Sequence, residues 1–585
     1  MPLTPADPVR DQGQADTRLT RLLGFVSERR GNVAVIFALA SLPLLAFTGA
    51  AIDYGLATRL QVKLQAATDA TALGLCQTPQ TTTTPQLQTQ AQTVAAGYMI
   101  GASNLMVDPL AVTSNPRKIT LTTHVNSRTF FPAFTGVSSP KVNATSQCAT
   151  PLAKTFEIAM VLDNTGSMAN SSGSQSKLQA VQSAASTFVD YVKTNGAFAS
   201  NSRISIVPFA ASVAVDPRIS ATASWVDSGG LSKYHWTNVD HASATAAGFT
   251  SRLSIFAALQ KFSSSWAWGG CFESLPYPQN VQDGTPTSND TLYVPMFAPD
   301  EPGTGSTGTA CWSATINIFG NCIGSVVLQG NSYINDNPFL SSTCPLQTDF
   351  AKAESQACKY KNAQGAAPTN SGAAGIPNGP NFMCTTQPLQ RLTSDAPTLK
   401  SLISSMTASG STDIHEGVMW GWRTLSPVSV FADGAAYSTS ATSPTNKVLI
   451  LMTDGANSWP SNTGANYNQT YYFSPGYLKN ADGSDPTPHM PTAYQSSSSI
   501  QTTAQQRNAL DQLTLEACSN AKAVNVSIYT IGFSVASDPI DKQGIQLLQN
   551  CASSSKQAFV ANDSNGLILA FSQIAASIGA LRISQ

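Results

Sequence analysis

The distribution of apolar residues separates an N-terminal anchor from the rest of the chain. Between Gly31 and Ile52 there is no charged side chain. A helix of this length, rising about 1.5 Å per residue, just crosses a hydrocarbon core of about 30 Å. The pattern therefore predicts one membrane span over 31–55. Apolar residues then continue at helical spacing, which predicts that the helix extends beyond the membrane as an amphipathic one. These residues are Leu60, Leu64, Ala67, Ala70 and Leu73.

The next region has the pattern of a small β-rich domain. Residues 117–147 alternate apolar and polar positions in short stretches that Gly, Pro and Ser interrupt, which predicts short antiparallel strands. Cys76 and Cys148 bracket this region, and a disulfide between them would close a long loop around it. We therefore assign 56–150 to a stalk region and expect a Cys76–Cys148 pairing.

From residue 156 the pattern changes to apolar strands that alternate with amphipathic helices. The run FEIAMVLD is typical of a strand buried on both faces. It is followed by a helical stripe and by a second strand-like run, RISIVPF. Further strands are predicted at 447–455, 526–533 and 557–561. The architecture over 151–585 is therefore predicted to be a doubly wound α/β domain.

A long insertion interrupts this domain. Between about 214 and 388 the periodicity fails, and Gly, Ser, Thr, Asn and Pro dominate a stretch that carries six of the cysteines. Such a length without clear secondary structure indicates either recognition or disorder. We expect a large irregular insertion, stapled by disulfides and used in recognition.

Composition and charge narrow the class of protein. Charged residues make up 11% of the chain, and the net charge is −1. There is no Lys/Arg run with interleaved aromatics that would neutralise phosphates, so nucleic-acid binding is not expected. The ten cysteines form no C-x-x-C pair, which argues against zinc ribbons and favours disulfides. Free buried thiols are the alternative for several of them.

The charges that flank the anchor predict its orientation. Arg18, Arg21, Arg29 and Arg30 precede the apolar run, and Asp53 follows it. The positive-inside rule then places residues 1–30 in the cytoplasm and the chain beyond 55 in the periplasm or outside the cell. A single-pass protein of the inner membrane is expected. The alternative, a cleaved secretory signal, exports the large domain as well.

The anchor also carries a family resemblance. The segment RRGNVAVIFALASLPLLAFTGAAIDYG and the following RLQVKLQAATDATALG resemble the N-terminus of the TadE/TadG family of tight-adherence (Flp) pilus assembly proteins. The resemblance implies a role in Flp pilus assembly or surface adherence. In pseudopilin members a Glu stands five positions after the cleavage-site Gly, whereas Ile36 stands at that spacing from Gly31, so prepilin-type processing is not implied. Cys518 and Cys551 resemble a family pattern, which implies a structural disulfide.

A second resemblance concerns candidate metal ligands. The first predicted strand of the α/β domain ends in Asp163-Asn164-Thr165-Gly166-Ser167. The turn after the strand therefore carries oxygen donors, which hard divalent cations prefer as ligands. Three segments of the chain resemble those of a von Willebrand factor A metal-ion-dependent adhesion site: this D-x-T-x-S run, Thr412 in GSTD and Asp454 in LMTDG. The family more often has Ser at the place of Thr165. A polar strand-to-helix turn with a capping hydroxyl is the alternative.

The second resemblance also implies roles for these residues. Thr165, Ser167 and Thr412 would bind Mg²⁺ or another divalent cation directly, and Asp163 and Asp454 would act through water. The open sixth position would accept an acidic side chain of a protein partner, and pilus assembly components are the expected partners.

No catalytic constellation accompanies these motifs. The five histidines are scattered, and there is no G-x-S-x-G elbow, so we expect a binding protein rather than an enzyme. One alternative is a metal-dependent surface adhesin that is not needed for piliation. An unrecognised hydrolase is the other.

Overall fold

The computed structural model describes residues 32–76, 78, 82–99, 104–113, 117–132, 138–149, 155–302, 315–316, 322–323, 331–334, 344, 347, 349–361, 363, 376–437, 445–461 and 467–580. The chain separates into two compact units, Met1–Leu152 and Ala153–Gln585. The break falls two residues after the predicted end of the stalk region at 150.

The first unit is built from long helices and a small antiparallel sheet. Strand β3 pairs with β1, β2 and β4, all antiparallel. The bounds are α1 Asn32–Cys76, α2 Thr84–Tyr98, β1 Met106–Val107, β2 Ala111–Thr113, β3 Lys118–Asn126 and β4 Lys141–Ala149. The strands predicted within 117–147 are therefore present.

Helix α1 is continuous, and it packs against protein mainly from Gly49 onward. Most apolar side chains from Val33 to Phe47 are exposed, and in the described part of the chain this is the single helix long and apolar enough to cross a membrane. Leu73 is 61% exposed, so its predicted place on the amphipathic stripe is wrong. At about 100° per residue it lies on the side of the helix opposite Leu64. Beyond Asp53 the buried positions of the helix are Leu64, Ala67, Thr68, Thr71, Ala72 and Leu75.

A pair of hydrogen bonds and a disulfide connect α1 to the rest of the first unit. The carboxylate of Asp53 is buried and accepts hydrogen bonds from the backbone N–H groups of Phe130 (2.9 Å) and Phe131 (3.1 Å). At the C-terminal end of the helix, Cys76 and Cys148 form the predicted disulfide. A bridge that closes a loop of this length stabilises the fold by about 2–5 kcal/mol.

The second unit contains the alternating elements that the sequence predicted. Its strands are β5 Thr155–Asp163, β6 Arg203–Phe209, β7 Gln390–Thr393, β8 Thr445–Thr453, β9 Val526–Phe533 and β10 Ala558–Ala561. Its helices are α3 Lys177–Thr194, α4 Pro217–Ser220, α5 His241–Ala247, α6 Arg252–Leu259, α7 Phe350–Ser355, α8 Ala396–Ser405, α9 Ile414–Leu425, α10 Thr503–Ala523, α11 Lys542–Cys551 and α12 Ser564–Ala580. Two-residue strand pairs join Ser171–Ser172 to Gln175–Ser176 and Thr315–Ile316 to Cys322–Ile323.

The six strands form one sheet in the order β7-β6-β5-β8-β9-β10. All neighbours are parallel except β7, which pairs with β6 in the antiparallel direction. Apolar residues of α3, α8 and α12 share one core with one face of the sheet, and those of α9, α10 and α11 share another core with the opposite face. The fold is therefore doubly wound α/β, and the edge strand β7 is an element that the sequence did not predict.

The insertion adds to the core on the α9 side. Its described part contains short helices and isolated β-bridges, and its buried aromatic side chains include Phe272 and Tyr293, which lie 6.0 and 5.5 Å from the Trp420 ring of α9. Disulfides join Cys271 to Cys384 and Cys344 to Cys358. The expected stapling by disulfides is thus present within the described residues.

A second insertion, between β8 and α10, was not predicted. In its described part Trp459, Tyr472, Phe473 and Tyr477 are completely buried. Beyond it, the disulfide between Cys518 and Cys551 joins α10 to α11, as the family pattern implied.

Two glycines allow α9 to approach the sheet closely. A Cβ added at Gly421 would lie 2.4 Å from Val161 Cγ2, and one added at Gly417 would lie 2.7 Å from Phe209 Cγ. Both neighbours belong to buried strands that cannot move aside easily. The contact between α9 and strands β5 and β6 therefore requires glycine at these helical positions.

We expect Gly421→Ala to destabilise the second unit by about 1–3 kcal/mol, because an extra methyl group in a packed core forces neighbours to shift. Thermal unfolding of the full chain in detergent, followed by circular dichroism, measures the effect. Gly579→Ala in α12 is the control, since its nearest neighbour is Ala197 Cβ at 3.4 Å. Equal unfolding temperatures for the two variants would contradict the close approach.

Candidate metal centre

The candidate site lies at the carboxyl ends of two neighbouring parallel strands. Asp163 is the last residue of β5, and Asp454 directly follows β8. In the register of the two strands Leu162 lies opposite Met452, so the two aspartates emerge at the same edge. The chain runs from β5 to β6 on one side and later returns to β8 on the other, which makes this edge a topological switch point. Ligands of doubly wound folds bind in such crevices.

Neutral donors orient the Asp163 carboxylate. Its Oδ1 accepts a hydrogen bond from the backbone N–H of Thr165 at 2.8 Å, and its Oδ2 accepts one from the hydroxyl of Thr453 at 2.6 Å. Asp163 is completely buried. The sequence reasoning missed Thr453, although its place beside Asp454 in LMTDG is a signal that could have identified it.

A chain of hydroxyl and carboxylate groups connects the two strand ends. The hydroxyl oxygens of Thr165 and Ser167 lie 3.1 Å apart, and the Ser167 hydroxyl donates to Asp454 Oδ1 at 2.8 Å. A serine hydroxyl that donates a hydrogen bond to a carboxylate still has lone pairs for a cation. Four of the five predicted ligands are therefore brought together.

The loop that carries Thr412 lies against the same turn. The N–H of Gly166 donates to Gly410 O at 2.8 Å, and the N–H of Ser409 donates to Asn164 O at 2.9 Å. Gly410 has φ +93°, in the left-handed region that favours glycine. Thr412 itself pairs through its backbone with Ser458 and is 6% exposed. Its segment reaches the site, but its hydroxyl makes no hydrogen bond to the other four ligands among the described residues.

The two carboxylates influence each other's protonation. Burial, followed by the nearby charge of Asp454, raises the pKa of Asp163 from 3.8 to about 7. Burial also raises the pKa of Asp454, while the ammonium group of Lys177 opposes this effect. Two carboxylates that are costly to ionise together are a setting in which a bound cation would be stabilising.

A lysine that the sequence reasoning did not consider completes this network. Lys177 is the first residue of α3, and its Nζ lies 2.8 Å from Asp454 Oδ2 and 2.6 Å from Asp538 Oδ2. A signal in the sequence could have identified it: Lys177 stands four residues before Val181, in line with the apolar stripe of α3.

The donor set fits a hard cation that prefers oxygen. Within the described residues no three His, Cys, Asp or Glu side chains cluster in a way that could hold a metal ion, so a site here depends on hydroxyls. The hydroxyls of Thr165 and Ser167 with two nearby carboxylates are oxygen ligands of the kind that Mg²⁺ accepts, and Mg²⁺ keeps several waters. Soft metals, which prefer sulfur or imidazole, do not fit.

The N-terminal part of the chain matches a known protein family. Residues 31–74 match the family model for TadE/G-like proteins of Flp pilus assembly. These residues form a TadE/G-like segment. It covers the exposed apolar part of α1 and most of its packed part, and it fits a single-pass membrane protein. No curated protein sequence matches the chain.

Several solved structures of pilus proteins align with the chain at low similarity. The vWF domain of the type V pili tip protein Mfa5 from Porphyromonas gingivalis is 12% identical, with a TM-score of 0.29, over 73% of this chain and 95% of that one. The adhesive tip pilin GBS104 from Group B Streptococcus agalactiae is 11% identical, with a TM-score of 0.30, over 73% and 100%.

The pilus adhesin SpaC from Lactobacillus rhamnosus GG is 11% identical, with a TM-score of 0.28, over 81% of this chain and 33% of that one. The alignment thus spans about a third of the SpaC chain. The fold assignment rests on the strand order of the sheet.

The raised pKa of Asp163 predicts how the metal-free protein responds to pH. An aspartate whose pKa is higher in the folded than in the unfolded state stabilises the fold at low pH. That stability is lost as pH rises from 3.8, the ordinary pKa of an aspartate, through about 7, the pKa of Asp163 in the folded protein. In EDTA we expect the unfolding temperature to fall between pH 5 and pH 8 by less in Asp163→Asn than in the wild type. Asp190→Asn, at an exposed position on α3, is the control, and an equal fall in all three proteins would contradict the prediction.

Proposed function

We propose that this protein is a membrane-anchored component of Flp pilus assembly that binds a protein partner through a divalent metal ion. The ligands would be Asp163, Thr165, Ser167, Thr412 and Asp454. The observation that carries the proposal is the hydrogen-bonded chain from Thr165 through Ser167 to Asp454, which links the ends of two adjacent parallel strands. The TadE/G-like segment supports the pilus context.

The protein's own groups would prepare the site in two ways. Thr453 and the N–H of Thr165 fix the Asp163 carboxylate, and Asp454 fixes the Ser167 hydroxyl by accepting a hydrogen bond from it. A bound divalent cation would supply a positive charge with an open coordination position for an anionic ligand. Gly166 is exposed and Ser167 is half-buried, so a partner would reach the site from this side of the turn.

The proposed partner offers an acidic side chain. In the described part of the chain two carboxylates, Asp163 and Asp454, stand near the hydroxyls, and both would act through water. The directly bound ligands would then be neutral hydroxyls, so the divalent ion would attract a carboxylate from outside to its open position. Components of the pilus assembly machinery are the proposed source of that group. The role is binding rather than catalysis, consistent with the pilus family match.

The proposed location places the second unit outside the cytoplasm. The arginines before the anchor favour a cytoplasmic N-terminus in the inner membrane, with the second unit in the periplasm or at the cell surface. The four disulfides among the described residues support this placement, because disulfides persist in oxidising compartments.

Isothermal titration of Mg²⁺ and Mn²⁺ into the purified full chain in detergent tests the metal site. We expect saturable binding at one site in the wild type and none in Asp163→Ala, because the alanine removes a carboxylate next to the hydroxyl ligands. Asp190→Ala is a matched control on an exposed face and should bind as the wild type does. Absence of binding in the wild type would refute the site assignment.

The same variants distinguish the two pilus-related roles in cells. Asp163→Ala should reach the membrane in normal amounts and should reduce piliation, which electron microscopy and membrane fractionation measure. Normal piliation with a loss of adhesion to surfaces would instead favour a surface adhesin that is not needed for pilus assembly.

A further inference from the structure

Lys177 occupies an unfavourable position for a cation. Its side chain is completely buried, and it stands at the N-terminus of α3, where the helix dipole disfavours positive charge. Burial of an ammonium group is costly unless charged or polar partners surround it. Its two partners are Asp454 and Asp538, so these carboxylates account for its presence at the candidate metal centre.

The lysine lies between an inner and an outer carboxylate. Asp454 is buried and uses its two oxygens for different partners, with Oδ1 accepting from Ser167 and Oδ2 accepting from Lys177. Asp538 has a side chain that is 38% exposed, and its Oδ2 also accepts from Asn170 Nδ2 at 2.8 Å. Lys177 is therefore shared between one carboxylate inside the site and one at its rim.

A divalent cation and this ammonium group would compete for the same negative charge. A cation held by the hydroxyls and by Asp454 would lie within a few ångströms of Lys177 Nζ, where like charges repel strongly in a medium of low polarity. On the basis of the proposed function, we infer that Lys177 is a built-in cation that competes with the metal for Asp454. It lowers the metal affinity of the site and leaves the loaded site more positive, which favours an acidic partner.

Asp538 has the opposite effect on this competition. It draws part of the charge of Lys177 away from Asp454, and its own negative charge attracts a metal ion. Removal of the lysine should therefore strengthen metal binding, whereas removal of the Asp538 charge should weaken it. A lysine that only held the fold together would not produce opposite changes in metal affinity.

The test measures Mn²⁺ affinity of the full chain in detergent by isothermal titration, for the wild type, Lys177→Met and Asp538→Asn. We expect Lys177→Met to bind about tenfold or more tightly than the wild type and Asp538→Asn to bind several-fold more weakly. Thermal unfolding in EDTA should show that Lys177→Met is less stable than the wild type and that Mn²⁺ restores more stability to it. Lys193→Met, at the other end of α3 with its Nζ on Ser202 O, is the matched control and should bind as the wild type does.

The outcomes separate this inference from the metal site itself. Metal binding in the wild type that is unchanged or weaker in Lys177→Met would overturn the competition and leave the site intact. Failure of every variant to bind Mn²⁺ would overturn both. If Lys177→Met does not fold, Asp538→Asn decides, because an affinity equal to or higher than that of the wild type contradicts the inference.

Discussion

The parallel pairing of β5 with β8 is the constraint on which the rest of the second unit depends. Their hydrogen bonds run from Thr155 opposite Thr445 to Leu162 opposite Met452, and both strands are almost completely buried. This pairing fixes which residues leave the sheet together at its carboxyl edge. Both aspartates of the candidate site therefore follow from the register of one strand pair, and a shift by one residue would separate them.

The two faces of this sheet pack against different parts of the chain. On the face of α3, α8 and α12 the helices pack on the strands and on one another, for example through Phe188 of α3 and Phe571 of α12, whose rings lie 6.0 Å apart. On the face of α9 the core extends into both insertions, and Gly417 and Gly421 bring α9 close to the strands. Both insertions therefore pack against the closely packed α9 face of the sheet.

Charged groups hold the larger insertion where apolar packing alone would not specify one arrangement. Arg252 is completely buried, and it donates to Glu273 Oε1 at 2.6 Å and to the backbone oxygen of His235. The His235 ring in turn bonds Asp227 Oδ2 at 2.8 Å. Because a buried charge without a partner is costly, such a network stabilises the single arrangement in which all its partners meet.

The same principle explains the electrostatics of the candidate metal centre. Two buried carboxylates meet at the edge of the sheet, and each has its own compensation. Asp163 relies on neutral donors and Asp454 relies on Lys177. A site that is compensated internally can exist without a metal, and a cation that enters it must displace part of this compensation.

The sequence by itself determined the anchor, the main strands and the local chemistry of the turn after β5. Continuous apolar runs such as FEIAMVLD suit a strand buried on both faces, and the oxygen-rich residues from Asp163 to Ser167 are neighbours along the chain. Only the tertiary structure decided which residues distant in the sequence come into contact. Lys177 meets Asp538, and Cys271 meets Cys384, across separations of 361 and 113 residues.

The reason for this division is physical. Periodicity and turn chemistry act between residues a few positions apart, so they can be read from the sequence. Long-range partners depend on strand order and on the packing of the insertions. The exposure of Leu73, the edge strand β7 and the compensation of Asp454 by a buried lysine belong to that second class.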